Sequence, residues 1–311
     1  MTRLNLRTAI ANYGHTISLK DGTIESPRFN MEHVEVSPVP TIFRRMVRNL
    51  EFDVAEMALA TYICSKYYQK PFTALPIFIT RSFYHEGIIC NRKAQINGPD
   101  DLAGKKVGMR SYTLTPGVWT RGILHTEYGL DLDSVTWVLS GDEHVEEYKV
   151  PENVVSSSNN DLADMLLSGE VDAVIGAGAI NSPDAVPLFE DAYGADKDWF
   201  NSTKIYPISH LLVVKNQILD DNPWLAEELF SMFKEAKEMY VNNLQFHQNG
   251  KVQDNDLIKM AAIVDGDPLP YGFEGARDVL ETFIRFNVEQ QIIPSVVVPE
   301  TLFPEGTLGL I

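Results

Sequence analysis

The sequence predicts an α/β protein of two lobes, each a mixed, mostly parallel sheet flanked by helices. Three observations carry that prediction. Strand-like apolar runs alternate with helical periodicities along the chain, the pattern of sheets covered by helices. The stretch 92–208 reads as a complete α/β unit inserted between strands at 87–90 and 209–214. The 311 residues suffice for two domains with cores of ordinary size. The expected organisation is a discontinuous lobe 1 at 1–91 plus 209–311 and an inserted lobe 2 at 92–208. A ligand cleft is expected between them, where strand ends and helix N-termini converge.

Residues 4–11 read as the first strand and run into Tyr13-Gly14-His15-Thr16, a polar turn able to face a ligand. Asp21-Gly22 signals a turn and 31–36 an extended segment. Thr41 opens a helix in which Phe43, Met46, Val47 and Leu50 recur at helical spacing. Residues 52–57 resume the strand pattern and carry Glu56, 59–68 read as a helix, and 72–79 as a strand. That strand delivers Arg81, Phe83 and His85 just before the next strand at 87–90. An arginine offers a planar fork for a carboxylate, a histidine exchanges protons near neutrality, and a phenylalanine supplies an aromatic wall.

The segment 98–109 places a short polar helix before a Gly-Lys-Lys turn and a strand at 106–109. In the following SYTLTPGVW, Thr115 suits an N-cap and Pro116 the first helical position. Such a helix start exposes amide donors that favour an anion, which makes Tyr112 and Thr113 candidate substrate contacts. Trp119, Ile123 and Leu124 give the helix an apolar face, and Gly129 caps its end. After a strand at 135–139, the acidic stretch 140–160 with Glu143, Glu146 and Glu147 reads as a solvated loop. A helix and a strand at 171–175 follow, ending at Gly176 and Gly178. No third glycine completes a dinucleotide fingerprint, and a turn that lets a ligand approach the backbone accounts for Gly176. Residues 184–202 read as loop and short helix, and 205–214 as a strand carrying His210. Pro223 starts a long helix with Leu225, Leu229, Phe233, Ala236 and Tyr240 on one face, and a last amphipathic helix spans about 274–290.

Apolar content of 44% and charged content of 22% are those of a folded globular chain. A formal net charge of -17 repels a polyanion, so nucleic acid is not an expected partner. A small anion is not excluded, because a local arginine overrides a distant field at ordinary salt. Arg7 interrupts any apolar signal core, which makes the cytoplasm the expected location. No run approaches the ~18 apolar residues of a membrane span. Cys64 and Cys90 lack zinc spacing and read as buried, inert thiols, so neither metal nor disulfide is expected. Self-association into a homo-oligomer stays open.

The chain resembles the 4,5-dihydroxyphthalate decarboxylase family. The resemblance rests on FDVAEMALATY (52–62), TRSFYHEGI (80–88), YTLTPGVWTRGILHTEYGL (112–130), YPISHLLVV (206–214), NPWLAEELFSMFKEAK (222–237) and YGFEGARDVLETFIRF (271–286). These stretches occur in family order over almost the whole chain. The resemblance implies the fold of type II periplasmic binding proteins and cofactor-independent decarboxylation of a hydroxylated aromatic acid. The chain departs from the family pattern at Tyr84 and Glu86, where arginine and serine are usual, and at Ala276, where asparagine is. A lost cation and a gained carboxylate leave room for a related aromatic acid.

The chemistry then expected assigns His85 as proton donor and His210 as phenol partner or second acid-base group. Glu56 orients a histidine and Arg81 clamps a spectator carboxylate. Tyr13, Phe83, Tyr112, Thr113 and Trp119 would line the ring, with Gly176 at a backbone approach. Arg121 is the weaker contact and the better candidate for a salt bridge. His15 is a pocket candidate, while His33, His125, His144 and His247 read as surface or structural. Two competing readings are a cytoplasmic or exported solute-binding protein for a small aromatic or carboxylate anion, and a non-decarboxylating lyase of alternative menaquinone synthesis.

Overall fold

The computed structural model of the chain describes residues 3–244 and 252–311. It divides into two compact units, Met1–Ser82 with Tyr206–Glu281 and Val297–Ile311, and Phe83–Ile205 with Thr282–Val296.

In the first unit the chain runs β1 (Leu4–Ala9), α1 (Ile17–Lys20), β2 (Phe29–His33), α2 (Pro40–Asn49), β3 (Val54–Ala58), α3 (Leu59–Tyr67) and β4 (Phe72–Arg81). The second unit contributes β5 (Ile88–Asn91), β6 (Lys106–Met109), α4 (Thr115–Tyr128), β7 (Thr136–Leu139), β8 (Val154–Ser156), α5 (Leu162–Ser168), β9 (Ala173–Ile175), β10 (Ala185–Pro187) and α6 (Ala192–Thr203). The chain returns through β11 (Ile208–Lys215), α7 (Asn216–Asp221), α8 (Leu225–Val241), α9 (Val252–Val264) and α10 (Arg277–Glu289).

The first sheet has the order β2-β1-β3-β11-β4, with β1 parallel to both neighbours and β11 antiparallel to β3 and β4. Strand β3 is buried along its whole length, which is why its sequence carries no alternation. Leu225, Leu229, Phe233 and Ala236 of α8 pack with Leu6, Val54, Leu75, Ile77 and Val214. Burying each large side chain contributes about 1.5–3 kcal/mol. The second sheet has the order β10-β5-β9-β6-β7-β8, parallel from β9 through β8 and antiparallel at β5 and β10.

Four expectations need correction. The stretch 83–91 belongs to the second unit, because β5 pairs with β9 and β10 and with no strand of the first sheet. Residues 282–296 also belong there: Phe283 stacks on Trp119 at 4.6 Å and Gln290 accepts a bond from Arg121. Helix α4 starts at Thr115 itself, with Leu114 in the capping position and no side-chain cap. The acidic stretch read as a loop contains the edge strand β8, and the stretch read as loop and short helix contains the edge strand β10 and the twelve-residue α6.

Candidate active site

Within the first unit, the C-terminal ends of β1, β3 and β4 and the N-terminal end of β11 share one edge of the sheet, the edge where parallel sheets place ligands. Glu56 stands on β3 with none of its surface exposed. Its carboxylate accepts from the Ala11 amide at 3.0 Å, the Tyr13 hydroxyl at 2.7 Å and Nδ1 of His210 at 2.6 Å. In the β3/β11 register Leu212 faces Glu56 and His210 faces Ala58, so Glu56 and His210 are diagonal neighbours.

Burial alone would raise the Glu56 pKa, but the His210 bond and charge, with the Ala11 and Tyr13 donors, outweigh it and hold the carboxyl below its usual range. The Tyr13 phenol is held protonated by burial and by the Glu56 charge. With Glu56 ionised, Nδ1 of His210 must carry the proton of their bond, which leaves Nε2 at the far side of the ring as the exchanging atom. The His210 side chain is 21% exposed against 0% for Glu56, and the edge of Phe43 packs against the imidazole at 4.9 Å. An ionised, buried carboxylate therefore aims an accessible imidazole.

Arg81 ends β4, 7% exposed. Its guanidinium donates to the carbonyls of Tyr206 (2.7 Å) and Pro270 (3.2 Å) and lies over the rings of Phe78 and Tyr206. Burial lowers its pKa to about 10, which leaves it a cation at neutral pH. Beside it lies a cavity of about 130 Å³ lined by Tyr13, His15, Thr80, Arg81 and Tyr240.

The second unit holds the other expected residues. His85 is buried to 1% exposure, its Nδ1 2.5 Å from Asp196 Oδ1 on α6, with Phe189, Tyr128 and Trp199 around the ring. The space beside it, lined by Tyr84, Ile88, Thr120 and Phe189, has no room for a water molecule. Tyr112 and Thr113 lie before α4, and their amides, with the Thr113 hydroxyl, donate to the carboxylate of Glu143. The donors just before the helix are thus answered by a carboxyl group that the chain itself supplies. Glu143 is not the solvated loop residue expected, and burial raises its pKa against those donors.

Trp119 and Phe83, expected against a ring, and Arg121, the weaker contact, are all packed among other side chains. Trp119 is fully buried against Phe283, Phe286 and Trp199. Phe83 presents edges to Trp199 and Phe200. Arg121 is fully buried, bonded to Gln290 Oε1 (2.8 Å), the Tyr112 carbonyl (2.6 Å) and Met109 Sδ (2.9 Å), and stacked 3.8 Å from the Tyr112 ring. A glutamine and a backbone carbonyl take its donors, and Glu143 acts on it through space as a charge rather than as a bonded partner. Gly176 is exposed at φ 74°, a turn conformation suited to glycine.

The sequence reading missed Asp196, Glu143, Thr80 and Tyr240. His247 lies outside the described residues. Among the described residues no group of three His, Cys, Asp or Glu side chains is placed to hold a metal ion, and no helix is long and apolar enough to cross a membrane.

No family model matches the chain. A 4,5-dihydroxyphthalate decarboxylase of Comamonas testosteroni is 29% identical over 330 aligned positions, 99% of this chain and 98% of that protein. A 4,5-dihydroxyphthalate decarboxylase of Pseudomonas putida is 33% identical over 220 positions, 65% of this chain and 83% of that protein. Among solved structures, the alkanesulfonate-binding protein SsuA of Xanthomonas axonopodis pv. citri, bound to MOPS, superposes with a TM-score of 0.58 at 11% identity, covering 98% of this chain and 99% of that one. The aliphatic sulphonate binding protein SsuA of Escherichia coli gives 0.55 at 13% identity over 99% of both chains. The desulfurization enzyme DSZB gives 0.57 at 14% identity over 97% of this chain and 96% of that one. At these identities the likeness speaks for the fold, that of periplasmic solute-binding proteins.

Proposed function

The chain belongs to the 4,5-dihydroxyphthalate decarboxylase family of carboxy-lyases, and from that premise we propose that it releases CO2 from a hydroxylated aromatic acid such as 4,5-dihydroxyphthalate, leaving protocatechuate. The observation that carries this reading is the bond between buried, ionised Glu56 and partly exposed His210.

Decarboxylation of such a ring needs a proton at the carboxyl-bearing carbon. The hydroxyl para to that carbon, once ionised, pushes electron density onto it. Nε2–H of the His210 imidazolium gives the proton there, forming a C–H bond and leaving the ring a cyclohexadienone. The bond to the carboxylate then breaks, its electron pair restores the aromatic ring, and CO2 departs. Solvent returns the proton to Nε2. Glu56 stabilises the imidazolium and fixes which nitrogen faces outward, in the way carboxylate partners orient catalytic histidines elsewhere. Arg81 attracts the carboxylate that is not lost. His210 takes the donor role that the sequence alone assigns to His85, because the His85 ring is enclosed by aromatic side chains.

The test is CO2 release from 4,5-dihydroxyphthalate by the purified chain, followed beside direct binding of the same compound. Release by the parent protein and its loss in His210→Ala supports the reading. Tight binding with the compound returned unchanged would make the chain a binder on the same fold.

A further inference from the structure

The cavity beside Arg81 gathers polar atoms that the rest of the first unit leaves unanswered. Nε of Arg81, Oγ1 of Thr80 and the hydroxyl of Tyr240 are buried without a hydrogen-bond partner among the described residues, and these three side chains line the same space beside His15, whose ring bonds the Ile79 backbone. An orphaned buried polar group is costly and rare, so several around one cavity call for an explanation. Arg81 Nε–H can only donate, and the two hydroxyls can donate. Burial pushes the His15 pKa down to about 4, so the ring is uncharged at neutral pH. A carboxylate, with about four acceptor positions, answers such a set where a cation or a neutral donor does not.

The rest of the cavity fits an aromatic acid. Tyr13 and His15 stack at 5.3 Å on one wall, and Ile79, Leu257 and Leu269 are apolar. The volume of about 130 Å³ is near that of cavities that accept one benzene ring. The one carboxylate on the wall, Asp256, is 61% exposed at the rim and faces Lys259. Tyr13 also joins the cavity to the acid-base pair, since its hydroxyl bonds Glu56, which holds His210.

We propose that this cavity is the pocket for the carboxylate that the substrate keeps, with Arg81 Nε–H and the Thr80 and Tyr240 hydroxyls as its hydrogen-bonding wall and the stacked Tyr13 and His15 rings beside them. The pocket makes Thr80 and Tyr240 determinants of specificity for a ring bearing two carboxylates over a ring bearing one. It rests on the decarboxylase reading for the identity of the ligand, but its test does not require turnover.

Phthalate, which lacks the hydroxyls that activate the ring, is titrated calorimetrically into the full chain and into Thr80→Val, Thr80→Ser and Tyr240→Phe, with Tm recorded for each. Loss of a hydrogen bond to a charged group should weaken phthalate binding roughly tenfold or more in Thr80→Val and in Tyr240→Phe, while Thr80→Ser, which keeps the hydroxyl, retains it. KM for 4,5-dihydroxyphthalate should rise in step. Parental phthalate affinity in Thr80→Val and Tyr240→Phe, or a parent chain that does not bind phthalate, overturns the proposal. If the parent binds phthalate, the two variants lose it, and no CO2 is released from the hydroxylated acid, the pocket stands and the decarboxylase reading falls.

Discussion

Nδ1 of His210 lies 2.6 Å from Oε1 of Glu56, a bond between residues 154 positions apart in the chain. It exists because β11 runs antiparallel to β3 in the register that sets Leu212 against Glu56. Replacing Glu56 by glutamine keeps the side chain's size and removes the charge that stabilises an imidazolium. The expected outcome is a fall in kcat of about 10²- to 10⁴-fold, the usual worth of a positioned acid-base group. The measurement is the initial rate of CO2 release at saturating substrate, and a kcat within threefold of the parent's would remove Glu56 from the mechanism.

The same carboxyl sets a pH dependence whose sign is fixed. Its pKa in the folded chain is depressed below the ordinary value of about 4.3, because the His210 and backbone donors outweigh burial. A depressed carboxyl contributes stability that is complete above the unfolded-state value and lost as pH falls through the folded one. The parent chain should therefore exceed Glu56→Gln in unfolding free energy at pH 6, with the gap closing below about pH 4. Denaturant unfolding of both proteins at pH 3.5, 5 and 6.5 checks it; a gap that widens on acidification reverses the sign.

Among the described residues His85 pairs with Asp196 and His210 with Glu56, and comparing the two pairs separates chemistry from scaffold. His85 and Asp196 are 1% and 8% exposed, whereas His210 is 21% exposed. Truncating His85 to alanine empties a space among aromatic rings and strands Asp196, at a cost of about 3–5 kcal/mol. His210→Ala should cost less stability and far more turnover. Parallel Tm and kcat measurements decide the matter, and a stable His85→Ala protein with no activity would restore His85 as the proton donor.

Gly14 is held to a hydrogen by its neighbour. A Cβ there would lie 2.1 Å from Cε2 of Tyr240, so Gly14→Ala must push that ring aside. Overpacking of this kind costs about 1–3 kcal/mol. In a double mutant with Tyr240→Ala the two losses should not add, because the clash is gone. Additive losses in Tm would place the strain elsewhere.

The alternation of strands and helices was legible because it depends on neighbours in sequence: β6 falls on 106–109 and α4 ends at Gly129, with the glycine at φ 71°. Glu56 and His210 were legible as residue types at strand ends. Their bond was not, since it follows from β-sheet register across half the chain. Arg121 shows the same limit. Its spacing marks it as polar on an apolar helix, but its burial depends on Gln290, which is 169 residues away. Asp196 left no signal, because α6 reads AYGADKDWFNST, with little apolar periodicity to mark a helix. Glu143 stood unmarked among other acidic residues, and only its contact with the Tyr112 and Thr113 amides distinguishes it.

That contact makes the second unit self-sufficient. Glu143 is thirty residues from Thr113 in sequence but held beside it by the fold of the same chain, so it is present there ahead of any dissolved competitor. An incoming acid would have to evict a resident that never diffuses away, and what it gained in hydrogen bonds the evicted carboxylate would lose. Evolution of a new ligand specificity in this unit would accordingly begin not with the donors, which are already well placed, but with the residue that keeps them occupied.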